Sequence, residues 1–240
     1  MKLSAPIFRL KRRARLMARA SDMPLHDALD RVAREEGFAR WSLLSASMAA
    51  GPLPASMSVT LLSRLDDGDL LLLAGRPGQG KTLLGLELLI DAVRAGRRAV
   101  FFTLEFTEPQ ARAHLRKLAT PSDLADKVEV VTTEAIGADL IIAHMADAVP
   151  GSVAVIDYLQ ILDQQRSKPP LAEQMAALGA FAKNKRLILG FLSQIDRSFD
   201  PELKRLPDIG DIRLPNLVDL GLFTKAVFLQ GGEARLQEVA

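Results

Sequence analysis

Two hydrophobic periodicities divide the chain. Up to about residue 50, apolar residues recur every three or four positions. Leu3, Ile7, Leu10, Ala14 and Met17 line one side of a helix, and Leu25, Ala28, Leu29, Val32 and Ala33 line a second. Gly37 is placed to stop the second helix, and "FARWSLLSASMAA" predicts a third. "GPLPAS" follows, and its Pro and Gly read as a linker. From there the pattern becomes short apolar runs alternating with amphipathic stretches. Strands are predicted over 69–75, 98–106, 128–133, 153–162, 187–194 and 225–230, and helices over 80–95, 108–118, 136–148 and 171–184. Strands that alternate with helices imply right-handed crossovers and a mainly parallel sheet covered on both faces. "QGGEARLQEV" adds a Gly-Gly hairpin and a last antiparallel strand. The expected organisation is a helical module over 1–50, a linker over 51–57 and an α/β domain over 58–240.

Composition narrows the chemistry. At 240 residues, with 48% hydrophobic and 25% charged residues, the chain has room for one large core and a small appendage. With no cysteine, disulfides, thiolate zinc sites and cysteine nucleophiles are excluded, and a reducing compartment is compatible. His26, His114 and His144 lack metal-ligand spacing. No apolar run approaches the roughly 18 residues of a membrane span, and the start lacks the apolar stretch of a secretory signal. An organellar transit peptide is also Arg-rich and acid-free, but helical patterning continues well past this start. A cytoplasmic location is expected.

The net charge of +2 is unevenly spread. The first 20 residues hold seven basic side chains and no acid, so the other 220 carry a net −5. Arg9, Lys11, Arg12, Arg13 and Arg15 make the first helix strongly basic. Three uses are compatible with it: tracking a nucleic-acid backbone such as single-stranded DNA, contacting a subunit or partner, or standing solvated or at a membrane surface. Aromatic residues are 5% of the chain, with one Trp and one Tyr, so base-stacking platforms are not evident.

The densest chemistry lies in "AGRPGQGKT", residues 74–82. Gly75-Arg76-Pro77-Gly78-Gln79-Gly80-Lys81-Thr82 fits G-x-x-x-x-G-K-[ST] between an apolar strand and an amphipathic helix, the context a phosphate-binding loop requires. Its glycines let backbone N–H groups and the helix N-terminus face phosphate oxygens. Lys81 is placed for the β- and γ-phosphates of ATP, and the Thr82 hydroxyl for Mg²⁺. Asp157 closes the apolar run of "VAVIDYLQIL", where a carboxylate is costly unless it serves a metal. Glu105, at the end of "AVFFTLEF", is the candidate general base, because parallel strands share one edge; Glu108 already opens the next helix. Ser193 and Gln194 follow a buried strand on that edge, and Gln194 is the candidate γ-phosphate sensor. Arg197 is a cation of undetermined direction.

Four segments, "AGRPGQGKT", "FFTLEFTEPQ", "VIDYLQIL" and "LSQIDR", resemble in this order the ATPase domain of the DnaB-like replicative helicases, a branch of the RecA-like phosphate-loop proteins. The resemblance covers roughly residues 58 to 230. It implies a RecA-like fold and phosphate-loop roles for Lys81 and Thr82. Glu105 would be the catalytic base, Asp157 the magnesium-side acid and Gln194 the sensor. Ring assembly and action in DNA replication are implied with these. The chain also departs from that family. The basic Lys-x-Arg element that serves a neighbouring subunit as an arginine finger is missing beyond the last strands, where Arg235 is the one basic residue after the hairpin turn. Asp211-Ile-Arg213 resembles the start of a DNA-facing loop, but Leu220, Leu222 and Phe223 replace its later polar residues. The primase-docking N-terminal domain is not represented in the first 50 residues. The functions in play are an Mg²⁺-dependent ATPase acting on DNA or a DNA-processing complex, a regulatory ATPase that switches a protein partner, a helicase loader or adaptor, and a nearly inactive ATP-binding module.

Overall fold

The computed structural model describes residues 4, 7–21, 23–38, 40, 41, 44, 61–119, 121–157, 159, 162, 169–196, 198–212 and 219–239, with the side chains of 7–9 excepted. The chain divides into two compact units, Met1–Pro52 and Leu53–Ala240.

The first unit is built on α1 (Ile7–Ala20) and α2 (Leu25–Glu35). Helical spacing brings Leu10 and Ala14 of α1 together with Ala28, Val32 and Ala33 of α2 and with Leu44 in one buried cluster. Met17, Leu29, Phe38 and Trp41 pack at its margin. The Trp41 amide donates to the Asp30 carboxylate at 2.8 Å, fastening the chain beyond α2. The third helix predicted from residue 38 onward and the linker predicted over 51–57 fall almost entirely outside the described residues.

The second unit is a seven-stranded sheet in the order β3-β2-β4-β5-β1-β6-β7. Its strands are β1 (Leu70–Gly75), β2 (Ala99–Thr103), β3 (Val128–Val131), β4 (Val153–Asp157), β5 (Ile188–Gln194), β6 (Lys225–Gln230) and β7 (Glu233–Glu238). Every pairing is parallel except β6 with β7, the hairpin closed at Gly231-Gly232. One face is covered by α3 (Lys81–Arg94), α4 (Glu108–Leu118) and α5 (Asp123–Asp126), the other by α6 (Ala138–His144) and α7 (Leu171–Lys185). Side chains alternate between the layers: Leu71, Leu73, Phe101, Val155 and Leu192 face α3, while Leu72, Phe102, Ile156 and Phe191 face α7. Both faces being buried explains why the strands read as continuous apolar runs.

Two predicted strands run too far. The 98–106 strand ends at Thr103, and the 153–162 strand ends at Asp157. The apolar residues that continued the pattern are buried differently: Leu104 packs into the α7-side core and Phe106 into the α3-side core from the turn after β2. Leu159 and Leu162 are buried beyond the end of β4. The helix predicted over 136–148 is confined to Ala138–His144.

The edge at the N-terminal ends of the strands is tied down by ion pairs. Lys225 Nζ lies 2.8 Å from Asp66 and 2.7 Å from Asp69, and the Thr224 hydroxyl donates to Asp69 at 2.7 Å. Arg98 pairs with Glu129 and Asp147, each at 2.7 Å. These charges are occupied with one another, and the remaining candidate chemistry lies at the opposite edge.

Candidate active site

At the C-terminal edge the sheet lines up the predicted residues in strand order. Thr103 of β2 is in register with Asp157 of β4, and Gln194 of β5 with Gly75 of β1. The alternation that sends Phe101, Val155, Leu192 and Leu73 toward α3 puts these four strand-end residues on the same face. Ser193 instead belongs to the α7 face, fully buried, with its hydroxyl unpartnered. Ser193 and Gln194 are the last two residues of β5 itself, not the first beyond it as the sequence predicts.

The phosphate-binding loop leaves β1 at Gly75 and enters α3 at Lys81. At Gly75 a side-chain carbon would stand 3.0 Å from the Leu229 carbonyl, so close packing of β1 on β6 at this point requires glycine. Gly80 caps α3 in the left-handed region (φ 89°), which ordinary residues rarely adopt. The helix then starts with its free N–H groups at the mouth of the loop, the arrangement that favours an anion. Inside the loop, the Gln79 amide and the Lys81 ammonium both donate to the Arg76 carbonyl, each at 3.2 Å. The loop is also held from both sides. The Gln79 side-chain oxygen accepts from the Gly231 amide at 2.7 Å, and the Arg76 guanidinium donates to the Phe199 carbonyl.

Thr82, in the first turn of α3, donates its hydroxyl to the Asp157 carboxylate at 3.2 Å. Asp157 is 2% exposed. Burial pushes its carboxyl up to about 7, the negative charge of Glu105 adds to the rise, and Thr82 and Lys81 oppose it. Burial lowers Lys81 in turn, against the attraction of Asp157 and Glu105. Lys81, Asp157 and Glu105 therefore share one electrostatic neighbourhood. Glu105 is exposed, two residues past the end of β2, and its amide donates to the Thr103 hydroxyl at 3.1 Å. Glu108 is the first residue of α4, following the Thr107–Gln110 capping box.

The donor set suits a hard cation shared with phosphate. Thr82 and Asp157 offer a hydroxyl and a carboxylate oxygen side by side, and the buried carboxylate lacks a full counter-charge. Among the described residues no group of three His, Cys, Asp or Glu could hold a metal alone. Mg²⁺ at nucleotide sites commonly takes one or two protein ligands and completes its shell with phosphate and water, so the pair fits that role.

Several features of this edge are not visible in residue spacing. The Arg76–Phe199 and Gln79–Gly231 contacts join residues 123 and 152 positions apart. Glu87 on α3 has its carboxyl raised to about 7 by burial and by Asp91, one turn further along. The flags available in sequence were an acidic pair four apart on an otherwise apolar helix and two polar residues at the variable positions of the loop. Arg197 and Arg213 lie outside the described residues, as does the side chain of Arg9. In the first unit Lys11, Arg12, Arg15 and Arg19 are exposed on α1, whereas Arg13 is ion-paired with Glu35.

No family profile matches the sequence, and no curated protein matches it. Solved structures do. The ATPase domain of one DnaB-like helicase superposes with a TM-score of 0.57 at 16% identity, covering 78% of each chain. A DnaB-like replicative helicase, described together with its interactions with primase, superposes with a TM-score of 0.58 at 15% identity. That match covers 91% of this chain, and the chain spans 64% of the helicase's length. The fold is therefore RecA-like α/β, of the kind found in DnaB-like helicase ATPase domains. Among the described residues no helix is long and apolar enough to cross a membrane.

Proposed function

We propose that the chain binds ATP with Mg²⁺ and hydrolyses it at this edge, as a relative of the DnaB-like helicases acting on DNA or on a DNA-processing complex in the cytoplasm. The observation that carries the reading is the 3.2 Å contact between Thr82 and Asp157 beside the phosphate-binding loop. Gly75 to Thr82 cradle the phosphates, and Lys81 exchanges the Arg76 carbonyl for the β- and γ-phosphate oxygens. Thr82 and Asp157 hold Mg²⁺, which when bound offsets phosphate charge. Glu105 lies outside the buried shell but acts electrostatically on both Lys81 and Asp157, as suits a base that orients and deprotonates water. Gln194, beside Gly75, senses the γ-phosphate. The exposed Lys11, Arg12, Arg15 and Arg19 are the proposed contact with single-stranded DNA, and a homo-oligomeric ring is the proposed assembly.

The test separates binding from chemistry. Glu105→Gln is expected to keep ATP affinity and to lower turnover by about 100-fold or more, whereas Lys81→Ala loses affinity. A Glu105→Gln variant that hydrolyses ATP at the wild-type rate removes Glu105 as the base.

A second reading is favoured by Arg235. Its guanidinium donates to the Pro207 carbonyl at 2.9 Å within the same chain, an arrangement unlike a finger presented to a neighbour. In that reading nucleotide state switches a protein partner, as in a loader or adaptor, with slow turnover. Equal partner affinity in ADP and in a nonhydrolysable ATP analogue rules it out.

A further inference from the structure

The phosphate-binding loop is fastened to the segment that follows β5 through a single residue. Arg76 uses its two ends separately. Its carbonyl receives Lys81 and Gln79, and its guanidinium donates to the Phe199 carbonyl while lying over the Phe199 ring, 5.5 Å from the centroid. A cation at that range is attracted by the negative face of the ring. Phe199 is itself firmly placed: it is 4% exposed and belongs to the α7-side core.

The residues around Phe199 form a closed turn. The Phe199 amide donates to the Asp196 carbonyl at 3.3 Å, and the Ser198 amide to the Asp196 carboxylate at 2.8 Å. The turn is anchored at both ends. Ile195 donates to the Gly75 carbonyl at 3.3 Å, the Asp196 amide donates to the Asp211 carbonyl at 2.7 Å, and Ile195 bridges Ile212. Displacement of Phe199 therefore acts on everything from Ile195 to Ile212.

We infer that Arg76 and Phe199 form a mechanical link that carries the occupancy of the phosphate-binding loop to the Ile195–Ile212 segment, with Phe199 as a positioning residue for Arg76. The link rests on the nucleotide reading of the site and adds a route separate from Gln194. Its working part is the shared carbonyl. A phosphate oxygen is a stronger acceptor for the Lys81 ammonium than a neutral carbonyl, so a triphosphate draws Lys81 off Arg76. The Arg76 peptide then loses one of its two donors and reorients, and the guanidinium takes Phe199 with it. Linkage makes the effect reciprocal: whatever holds Phe199 in one position biases the affinity for the triphosphate.

The test is hydrogen–deuterium exchange on the full chain at saturating Mg²⁺ with ADP, with a nonhydrolysable ATP analogue, and without nucleotide. In the wild type the analogue is expected to change exchange across residues 195–212 by about threefold or more relative to the nucleotide-free protein. Phe199→Leu keeps an apolar side chain in the core but removes the ring, and is expected to lose most of that difference. Arg76→Ala, at a half-buried loop position where folding is least at risk, is expected to do the same, and the double variant to lose no more than either single one. Phe199→Tyr keeps the ring and restores the difference, which a purely structural role does not require. A full response in Arg76→Ala, or none in a wild type that binds the analogue, overturns the link alone. A wild type that binds no nucleotide overturns the nucleotide reading and the link together.

Discussion

The Thr82 hydroxyl donates to the Asp157 carboxylate at 3.2 Å and so joins the first turn of the loop's helix to the end of a central strand. The carboxylate is buried and held partly protonated near neutrality, an arrangement that disfavours folding when no cation is bound. Asp157→Asn is therefore expected to raise the melting temperature of the nucleotide-free protein while lowering ATP turnover by about 100-fold or more. Calorimetric melting paired with an ATPase assay checks both halves. A variant that melts lower shows that the carboxylate is compensated by other contacts and is placed for stability.

Much of this edge was legible in the chain. The apolar runs located every strand that carries a candidate residue, and their common direction put Thr82, Asp157 and Gln194 beside the loop. The lengths of two strands were not legible, because burial alone does not distinguish a strand from a packed turn: Leu104 and Phe106 after β2, and Leu159 and Leu162 after β4, keep the apolar pattern going while the pairing has stopped. Glu105 consequently emerges from a turn rather than a strand. The contact between Arg76 and Phe199 was invisible for another reason. It spans 123 residues, and no local spacing rule connects the second position of a phosphate-binding loop to an aromatic residue in a distant turn.

Glu87 gives the protein a pH-dependent stability. Burial and the neighbouring Asp91 raise its carboxyl to about 7 in the folded chain, above the ordinary glutamate value of 4.5 that the unfolded chain retains. The folded state therefore binds the extra proton between those values, and stability increases as pH falls from about 7 toward 4.5. Asp157 shifts in the same direction, so the informative quantity is the difference between wild type and Glu87→Gln. That difference should favour the variant at pH 8 and shrink as the wild-type carboxyl becomes protonated, as read by denaturant unfolding at several pH values. A constant difference across the range contradicts the assignment.

At the far edge, Lys225 is 5% exposed and bonds to Asp66 and Asp69, the latter 7% exposed. Removing the ammonium leaves Asp69 buried with only its hydrogen bonds from Thr224 and the Asp66 amide. Lys225→Met is expected to cost about 3 to 5 kcal/mol, the usual penalty for breaking a buried pair on one side. Replacing Asp69 as well, with Asn, should recover part of the loss, because the stranded charge is gone. ATP affinity per folded molecule should be unaltered, since these residues lie at the edge opposite the loop. Chemical denaturation and nucleotide titration below the unfolding transition measure the two effects separately.

The basic face of α1 is best tested through salt. A membrane-surface role requires an apolar face to insert, but on α1 Leu10 and Ala14 are 1% and 0% exposed, spent on packing against Ala28, Val32 and Ala33. Lys11, Arg12, Arg15 and Arg19 are exposed, and α1 contains no acid to offset them. A polyanion that needs no apolar insertion fits this face, and each phosphate neutralised on single-stranded DNA contributes about 0.7 to the slope of log affinity against log salt. Replacing these four residues with Gln should lower that slope by up to about 3 and weaken binding at low salt. Arg13 is the internal control: it is ion-paired with Glu35 inside the unit, so Arg13→Gln should change the slope least. Vesicles containing phosphatidylserine supply the competing arm. Binding to them that survives the four substitutions, together with a DNA slope that does not move, would place the nucleic-acid contact elsewhere on the chain.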